Sequence, residues 1–432
     1  MDTPRVKEYL ANFQQRQLPV LTLRDLKINQ TKKIKTIIGP RRAGKTFFIY
    51  QQMRELLKST PKEELIFLNF EDPQLIGINF KEIPDLVKLQ WQMYPSTAGK
   101  SLVLFVDEPQ NIKNWEVAIR GLYDRGFDIY ITGSSSKLLS KEISTSLRGR
   151  SLTYLLLPFS FKEFLKIKGI EFNAGVVSSK DKAILMNSLD EYSKYGGFPE
   201  IVKEQNQDIK LKILAEYLDS VVYKDIVDRF EIKNTKLIKW LINAIVTSFS
   251  KEISINKIYL TLKAQGIRVG KNTLYAYASM LEDVFFVFFV PKFSRSIRKR
   301  EFSTSKAYLC DVGYTRLVGV PSESKGRIME NIVFLELVRR KNILTEIFYW
   351  KNEKQQEVDF VISEKTEPSK LIQVCADVSN DDTKEREVKG LLAAMKVFGL
   401  EKGTIITDDF EGEELVGEKK IQYLPLWNWL LK

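Results

Sequence analysis

The sequence predicts an α/β protein whose first part is a doubly wound, mostly parallel sheet. Three observations carry this. Short apolar runs at 34–38, 65–70, 102–106 and 129–132 alternate with longer segments of helical character. The run Leu102-Val103-Leu104-Phe105-Val106 is apolar throughout, as a strand covered on both faces must be, and it is closed by two acids. Between the first run and the first helical segment stands Gly39-Pro40-Arg41-Arg42-Ala43-Gly44-Lys45-Thr46.

Taken in order, residues 1–33 read as an amphipathic lead-in that ends in polar Gln30-Thr31-Lys32-Lys33. The strand at 34–38 is cut by Gly39-Pro40, and a helix follows from Gly44 to about Lys58. Strand 65–70, a helix over 81–95, strand 102–106, another helix and strand 129–132 complete a core spanning 34–160. Beyond Leu156 the pattern turns helical, with Gly196-Gly197-Phe198-Pro199 as a break. Residues 207–283 read as helices and 284–310 as strands around a basic stretch. From about Gly326 to Lys432 a second mixed α/β region appears. The run Val284–Val290 is the longest aromatic-aliphatic stretch. It falls far short of the roughly 20 residues that cross a bilayer and reads as a buried strand.

Composition narrows the chemistry. The 432 residues are 44% hydrophobic and 28% charged, ordinary for a globular protein of several domains. There is no histidine, so no base, metal ligand or pH switch is an imidazole. The two cysteines, Cys310 and Cys375, are too few for a four-ligand zinc site or a disulfide framework. Carboxylates, lysines, arginines, hydroxyls and bound metal must do the work. A net charge of +12 points to a polyanionic partner, nucleic acid first, or to a lysine-rich solvated surface. No apolar stretch follows the N-terminal Met1-Asp2-Thr3-Pro4-Arg5, and the expectation is a cytoplasmic protein with no membrane association.

Residues 39–46 fit G-x-x-x-x-G-K-[ST] between a strand and a helix, the pattern of a phosphate-binding loop. Loop N–H groups and the helix N-terminus cradle phosphates. Gly39, Pro40, Arg41, Arg42, Ala43, Gly44, Lys45, Thr46 and the following Phe47 are therefore expected to bind ATP. Lys45 would reach the β- and γ-phosphates and the Thr46 hydroxyl would bind Mg2+. Asp107 would share that metal, and Glu108 would act as general base on the attacking water. The polar tip Thr132-Gly133-Ser134-Ser135-Ser136 offers a γ-phosphate sensor, with Ser134 first and Thr132 next; the alternative is a plain turn. Arg148 and Arg150 in Leu147-Arg148-Gly149-Arg150 would neutralise transition-state charge from a neighbouring subunit, or are structural arginines.

These motifs, with Asp107-Glu108-Pro109-Gln110, Ile131-Thr132-Gly133-Ser134-Ser135 and Tyr195-Gly196-Gly197-Phe198-Pro199-Glu200 in this order, resemble the prokaryotic AAA-type ATPases, frequent in archaea, that carry a C-terminal DUF4143-like region. The resemblance covers nearly the whole chain. It implies an AAA+ core, a helical lid over 161–210, a helical and winged-helix domain over 211–310, and a restriction-endonuclease-like α/β domain over 311–432. It also implies that Gly197 and Pro199 lie against the nucleotide base, where the residues alone read as a helix break. The family admits a homo-oligomer of no fixed number.

In the C-terminal half, residues 253–283 read as helix, turn, helix, with Asn272-Thr273 capping the second helix. Lys271 and Asn272 at its start, with Tyr275 and Tyr277, suit a recognition helix. Lys292, Arg295, Arg298, Lys299, Arg300 and Lys306 with Phe293 and Phe302 would form a basic wing gripping DNA phosphates, or the module serves only for packing. Glu330, Asp359 and the strand Leu371–Cys375 are spaced like a PD-(D/E)xK nuclease core. Yet Gln373 stands where an acid belongs and Cys375 where a lysine belongs, which makes cleavage unexpected. Lys351 is the candidate for a migrated lysine; Glu330 and Asp359 read equally as structural carboxylates. The expected function is an ATP-hydrolysing AAA+ protein coupling nucleotide state to DNA binding or remodelling. The alternatives are a STAND-like nucleotide-gated assembly switch and an ATP-regulated nuclease.

Overall fold

The computed structural model describes residues 2–135, 147, 149–171, 178–301, 303–319 and 324–432. They divide into two compact units, Met1–Pro158 with Asp283–Phe285 and Phe159–Glu282 with Phe286–Lys432. Among the described residues, no helix is long and apolar enough to cross a membrane.

In the first unit, β1 (Ile34–Ile38), β2 (Leu65–Asn69), β3 (Val103–Asp107), β4 (Asp128–Gly133) and β5 (Ser151–Leu155) form one parallel sheet in the order β2-β3-β4-β1-β5. The connections contain α2 (Lys45–Leu56), α3 (Ile83–Met93) and α4 (Trp115–Asp124). Register places Asn69, Asp107 and Thr132 side by side, and Ile38 beside Gly133. The carboxyl ends of β1, β3 and β4 therefore open onto one edge of the sheet, the edge where ligands meet open α/β sheets. Edge strand β5 escaped the sequence reading. Its side chains are largely half-exposed, so it lacks the continuous apolar run that marks β3.

The lead-in belongs to this unit. Its helix α1 (Thr3–Gln15) buries Val6, Tyr9, Leu10 and Phe13, and Phe13 joins Phe48, Met53 and Phe67 in one core. Leu18, Leu21, Leu26 and Ile28 pack against that core as the chain runs on toward β1.

The second unit opens with α5 (Phe161–Ile167), α6 (Ser179–Tyr195), α7 (Pro199–Lys203), α8 (Gln207–Ser220), a π-helical continuation at Val221–Asp228, and α9 (Thr235–Thr247). Next come β6 (Glu252–Ile253), α10 (Ile255–Ala264), α11 (Lys271–Asp283), β7 (Val287–Pro291), α12 (Ile297–Glu301) and β8 (Ser305–Leu309). Strands β6, β8 and β7, in that order, make an antiparallel sheet. The strand expected over 284–290 starts only at Val287, because Phe285 takes a left-handed φ of +58° that no extended strand accommodates. Helix α11 begins at Lys271, so Asn272 lies in its first turn rather than at a cap.

A 3-10 segment at Val312–Leu317 leads to α13 (Lys325–Arg340), β9 (Thr345–Lys351), β10 (Glu357–Glu364), β11 (Glu367–Cys375), α14 (Asp381–Phe398), β12 (Lys402–Thr407), β13 (Gly412–Val416), β14 (Lys419–Pro425) and α15 (Leu426–Leu431). Their mixed sheet has the order β13-β14-β12-β11-β10-β9, with β11, β12 and β14 parallel. Leu391, Ala394 and Met395 of α14 fill the core beside Val361, Ile405 and Ile421.

The segments expected as lid, helical domain and C-terminal domain form a single compact unit. Arg327 of α13 donates to the Phe249 carbonyl at 2.9 and 2.7 Å, and its guanidinium lies 4.2 Å from that ring centre. Asp311 holds Gly197, and Lys182 pairs with Asp409 at 2.8 Å.

Candidate functional site

The edge where β1, β3 and β4 end gathers a lysine, two acids and two hydroxyls. The loop after β1 turns on glycine. Gly39 has φ +155°, and a Cβ there would sit 2.0 Å from the Leu156 carbonyl oxygen. Gly44 opens α2 in the left-handed region, and Arg42 also has φ +66°. Lys45 is 6% exposed and donates to the carbonyls of Gly39 and Pro40 at 3.1 and 3.0 Å. Its ammonium also lies 3.8 Å from Glu108 Oε1. Arg41 reaches Glu71 at 3.4 Å, while Phe47 is exposed and edge-on to Tyr50.

Thr46 Oγ1 donates to Asp107 Oδ2 at 2.7 Å, and the Thr132 hydroxyl donates to Asp107 Oδ1. Ser134 Oγ donates to Glu108 Oε2 at 3.3 Å, and the Gln110 amide donates to the same oxygen. Glu108 is held at φ +51°, a strained conformation for a residue with a Cβ and one that re-aims its side chain off the strand. Burial first, then the neighbouring Glu108 carboxylate, push the Asp107 carboxyl up to about 6 against the pull of Thr132, Thr46 and Lys45.

The donor set suits a hard cation. Thr46 and Asp107 are close enough to share an ion and offer only oxygen, in keeping with the sparse protein ligation of magnesium that phosphate oxygens and water complete. Among the described residues no three His, Cys, Asp or Glu side chains group into a metal cluster.

Arg24 escaped the sequence reading. This buried lead-in residue donates to the Ala43 carbonyl at 2.8 Å and the Leu157 carbonyl at 2.6 Å. Its own backbone is bracketed by Gln51, which accepts from Arg24 N at 2.8 Å and donates to Arg24 O at 3.2 Å. The phosphate-loop fold is therefore braced from behind by a residue outside the motif, and no local pattern marks it.

The remaining predicted residues lie elsewhere. Arg150 precedes β5 at the opposite edge of the sheet from Lys45 and pairs with Asp124 at 3.1 Å. Arg148 and Ser136 lie outside the described residues. Gly197 and Pro199 belong to the second unit. There the Gly197 N–H donates to Asp311 Oδ2 at 2.7 Å, and a Cβ on Gly196 would stand 1.6 Å from Asp311 Oδ1. Asp311 Oδ1 accepts from Gly313 N at 2.8 Å. Burial pushes the Asp311 carboxyl up to about 7 against those two N–H groups. Asp311 accounts for Gly196, whereas a Cβ on Gly197 would stand 2.3 Å from the Phe159 carbonyl oxygen. Phe198 is fully buried, edge-on to Tyr217 and Tyr314.

In the same unit Lys271, Asn272, Arg295, Arg298 and Lys299 are exposed, as is Tyr275, whereas Tyr277 is buried and faces the core. Lys292 is half-buried beside β9, and Arg300 is half-buried against Glu346 and the Phe348 ring. Phe302 lies outside the described residues. Lys306 corrects the reading most. It is not a surface wing residue but is 3% exposed, with its ammonium 2.9 Å from Glu330, 2.8 Å from Asp359 and 2.7 Å from Glu357. Tyr308 donates to Glu330 at 2.6 Å. Burial pulls the Lys306 ammonium down, but Asp359 and Glu330 outweigh it and hold the pKa well above its ordinary value. Glu330, pushed by burial and then by Asp359, rises to about 8. Lys351, the candidate migrated lysine, pairs instead with Glu252 and Glu357 at 2.7 and 3.3 Å. Gln373 accepts from Asp359 N at 3.0 Å and donates to Glu387 at 2.5 Å. Buried Cys375 has its thiol pushed up to about 11, chiefly by burial.

Comparison with known proteins places these features in a lineage. A family model described as an AAA domain matches residues 31–165, and two domains of unknown function, DUF8612 and DUF4143, match 186–324 and 325–429. An uncharacterized protein of Methanocaldococcus jannaschii, MJ1544, is 41% identical over 94% of this chain and 90% of its own length. An uncharacterized protein of Haemophilus influenzae is 31% identical over 73% of this chain and 76% of its own. The crystal structure of CDC6p from Pyrobaculum aerophilum covers 77% of this chain and 93% of its own at 14% identity, but a TM-score of 0.27 is too low to carry an argument. The AAA match, the DUF4143 match and these two relatives establish that the chain belongs to a family of AAA-domain proteins with a C-terminal DUF4143 domain, found in archaea and bacteria.

Proposed function

We propose that this protein binds ATP with magnesium at Gly39–Thr46 and hydrolyses it, and that nucleotide state governs how the second unit holds DNA. The observation that carries the first part is the assembly of Lys45, Thr46, Asp107, Glu108, Thr132 and Ser134 at one edge of the parallel sheet. Lys45 exchanges its two loop carbonyls for phosphate oxygens. Thr46 and Asp107 would hold magnesium, whose charge would offset that of the nucleotide phosphates. Glu108 accepts the proton of the attacking water, while Ser134 and Gln110 fix the direction of its carboxylate. Arg150, and Arg148 with it, act on the phosphates of a neighbouring copy, since Arg150 lies at the far edge of its own sheet.

The DNA part is supported by the second unit. The order α9, β6, α10, α11, β7, β8 is that of a winged helix, with α11 in the place of the recognition helix. Lys271, Asn272 and Tyr275 are exposed on α11, and Arg295, Arg298 and Lys299 are exposed between β7 and β8. The order α13, β9, β10, β11, α14, β12 follows the restriction-endonuclease-like pattern. Its acids Glu330 and Asp359 are neutralised by Lys306, which favours binding over cleavage.

Steady-state ATP hydrolysis, with and without single- and double-stranded DNA at two salt concentrations, tests the proposal. Wild type is expected to turn over and Glu108→Gln to bind ATP but lose turnover by about 100-fold or more. DNA is expected to raise the wild-type rate less at the higher salt, because phosphate contacts release counterions. A rate indifferent to DNA at both salts overturns the coupling and leaves a nucleotide-gated protein-assembly switch.

A further inference from the structure

The second unit contains a cavity of about 550 Å³, walled by α6, α8 and the 3-10 segment at Val312–Leu317. Its charged lining is Lys168, Lys194, Lys210 and Arg316 against Asp190 and Glu191, a surplus of two positive charges. The distribution of those charges is unusual. Lys168 and Lys210 both bond the same oxygen, Glu191 Oε1, at 2.9 and 2.5 Å. Lys194 is answered by Asp190 at 2.6 Å. Arg316 is exposed, and no carboxylate among the described residues pairs with it.

Lys210 is the informative member. It is only 3% exposed, and its ammonium lies 4.7 Å from the centre of the Tyr195 ring, so it is fixed in place. Removing an ammonium from water costs several kcal/mol, which a well-placed counter-charge repays. Here a single carboxylate oxygen is shared by two ammoniums, and Glu204 acts on Lys210 only through its longer-range charge. Burial pushes Glu191 up, yet the paired lysines hold it below its ordinary range, so its charge is already committed to them. A second anion in the cavity supplies the missing compensation for Lys168, Lys210 and Arg316 together.

The volume falls within the range of small-molecule sites, roughly 300–1,000 Å³. The lining adds the amides of Gln205 and Gln207, donors and acceptors that suit an ester or a sugar hydroxyl rather than an apolar body. We propose that this cavity binds a small ligand bearing a phosphate or pyrophosphate group, independently of the phosphate loop. Tyr195 precedes Gly196 and Gly197, which pack on and bond Asp311, and Arg316 lies in the 3-10 segment that Asp311 caps. A ligand there bears directly on that junction.

The test uses the full chain carrying Lys45→Ala, so that uptake at the phosphate loop is suppressed, and titrates inorganic pyrophosphate without magnesium by calorimetry. One site is expected. Arg316→Ala and Lys194→Ala, both at exposed side chains, are each expected to weaken it about tenfold, the scale of a charge-assisted contact. Lys210→Met is expected to abolish it, and the two exposed variants keep the test valid if that protein does not fold. A single-stranded oligonucleotide forms the second arm. Pyrophosphate affinity unchanged in Arg316→Ala and Lys194→Ala, no uptake at millimolar pyrophosphate, or uptake of the oligonucleotide alone would each overturn the proposal.

Discussion

Lys45 and Lys306 are both buried and both face carboxylates, yet they are solved in opposite ways. Lys45 rests on two backbone carbonyls, with Glu108 at 3.8 Å. Lys306 lies within 2.9 Å of three carboxylates. The first lysine is only loosely compensated, and the second is saturated. A buried ammonium with weak partners is available to an incoming anion; one enclosed by three acids is not, and it keeps those acids from an incoming cation as well. On the proposed function, the loosely compensated centre is the one that meets a ligand.

The largest expected effect follows from that contrast. Lys45→Ala should lower ATP turnover by about 100-fold or more while moving the thermal midpoint little, because only two carbonyl contacts are lost. A midpoint that drops steeply instead would make Lys45 a structural residue and erase the distinction. Lys306→Met should do the reverse. It strands Glu330 and Asp359 without their cation, while Glu357 keeps Lys351, and is expected to cost about 3–5 kcal/mol of stability in denaturant unfolding. An unchanged unfolding midpoint would show that the acids find another partner.

The two sites also differ in how much of them could be read beforehand. The turn between β1 and α2 was legible because its pattern needs contiguous residues at fixed spacing, and the end of β3 at Asp107 because it closes an apolar run. Fold class was legible through the same alternation of runs. Lys306 was not. It reaches Asp359 from 53 positions away, and Glu330 from 24, so only the tertiary fold separates it from the exposed basic residues nearby. Lys351, nearer in sequence to the acids, was the local guess and pairs elsewhere. Gly196-Gly197 was legible as a break. Its causes, the Asp311 carboxylate against Gly196 and the Phe159 carbonyl against Gly197, were not.

Asp311 sharpens the comparison through pH. Its folded pKa of about 7 lies above the ordinary carboxyl value of 3.8, so the folded chain binds the proton more tightly than the unfolded one. The stability it contributes is therefore full at low pH and falls as pH rises from about 4 toward 7. Thermal midpoints measured across that range should show this decline in wild type, and Asp311→Asn should make it shallower, with Asp107 and Glu330 supplying what remains. A slope equal in the two proteins would mean that the N–H groups of Gly197 and Gly313 keep the carboxylate ionised throughout. The smallest effect belongs to the exposed basic residues. Arg298→Ala and Lys299→Ala should each reduce the salt dependence of DNA affinity by about one unit of slope, with little change in sequence preference.

Arg24 has a practical consequence for anyone who would move this AAA domain into another protein. The AAA-domain match begins at residue 31, seven positions after the guanidinium that spans the Ala43 and Leu157 carbonyls. A transplant cut at the recognised boundary would carry the whole nucleotide motif and leave its brace behind. The portable module includes the lead-in, and the heritable signature is shorter than the part that has to travel with it.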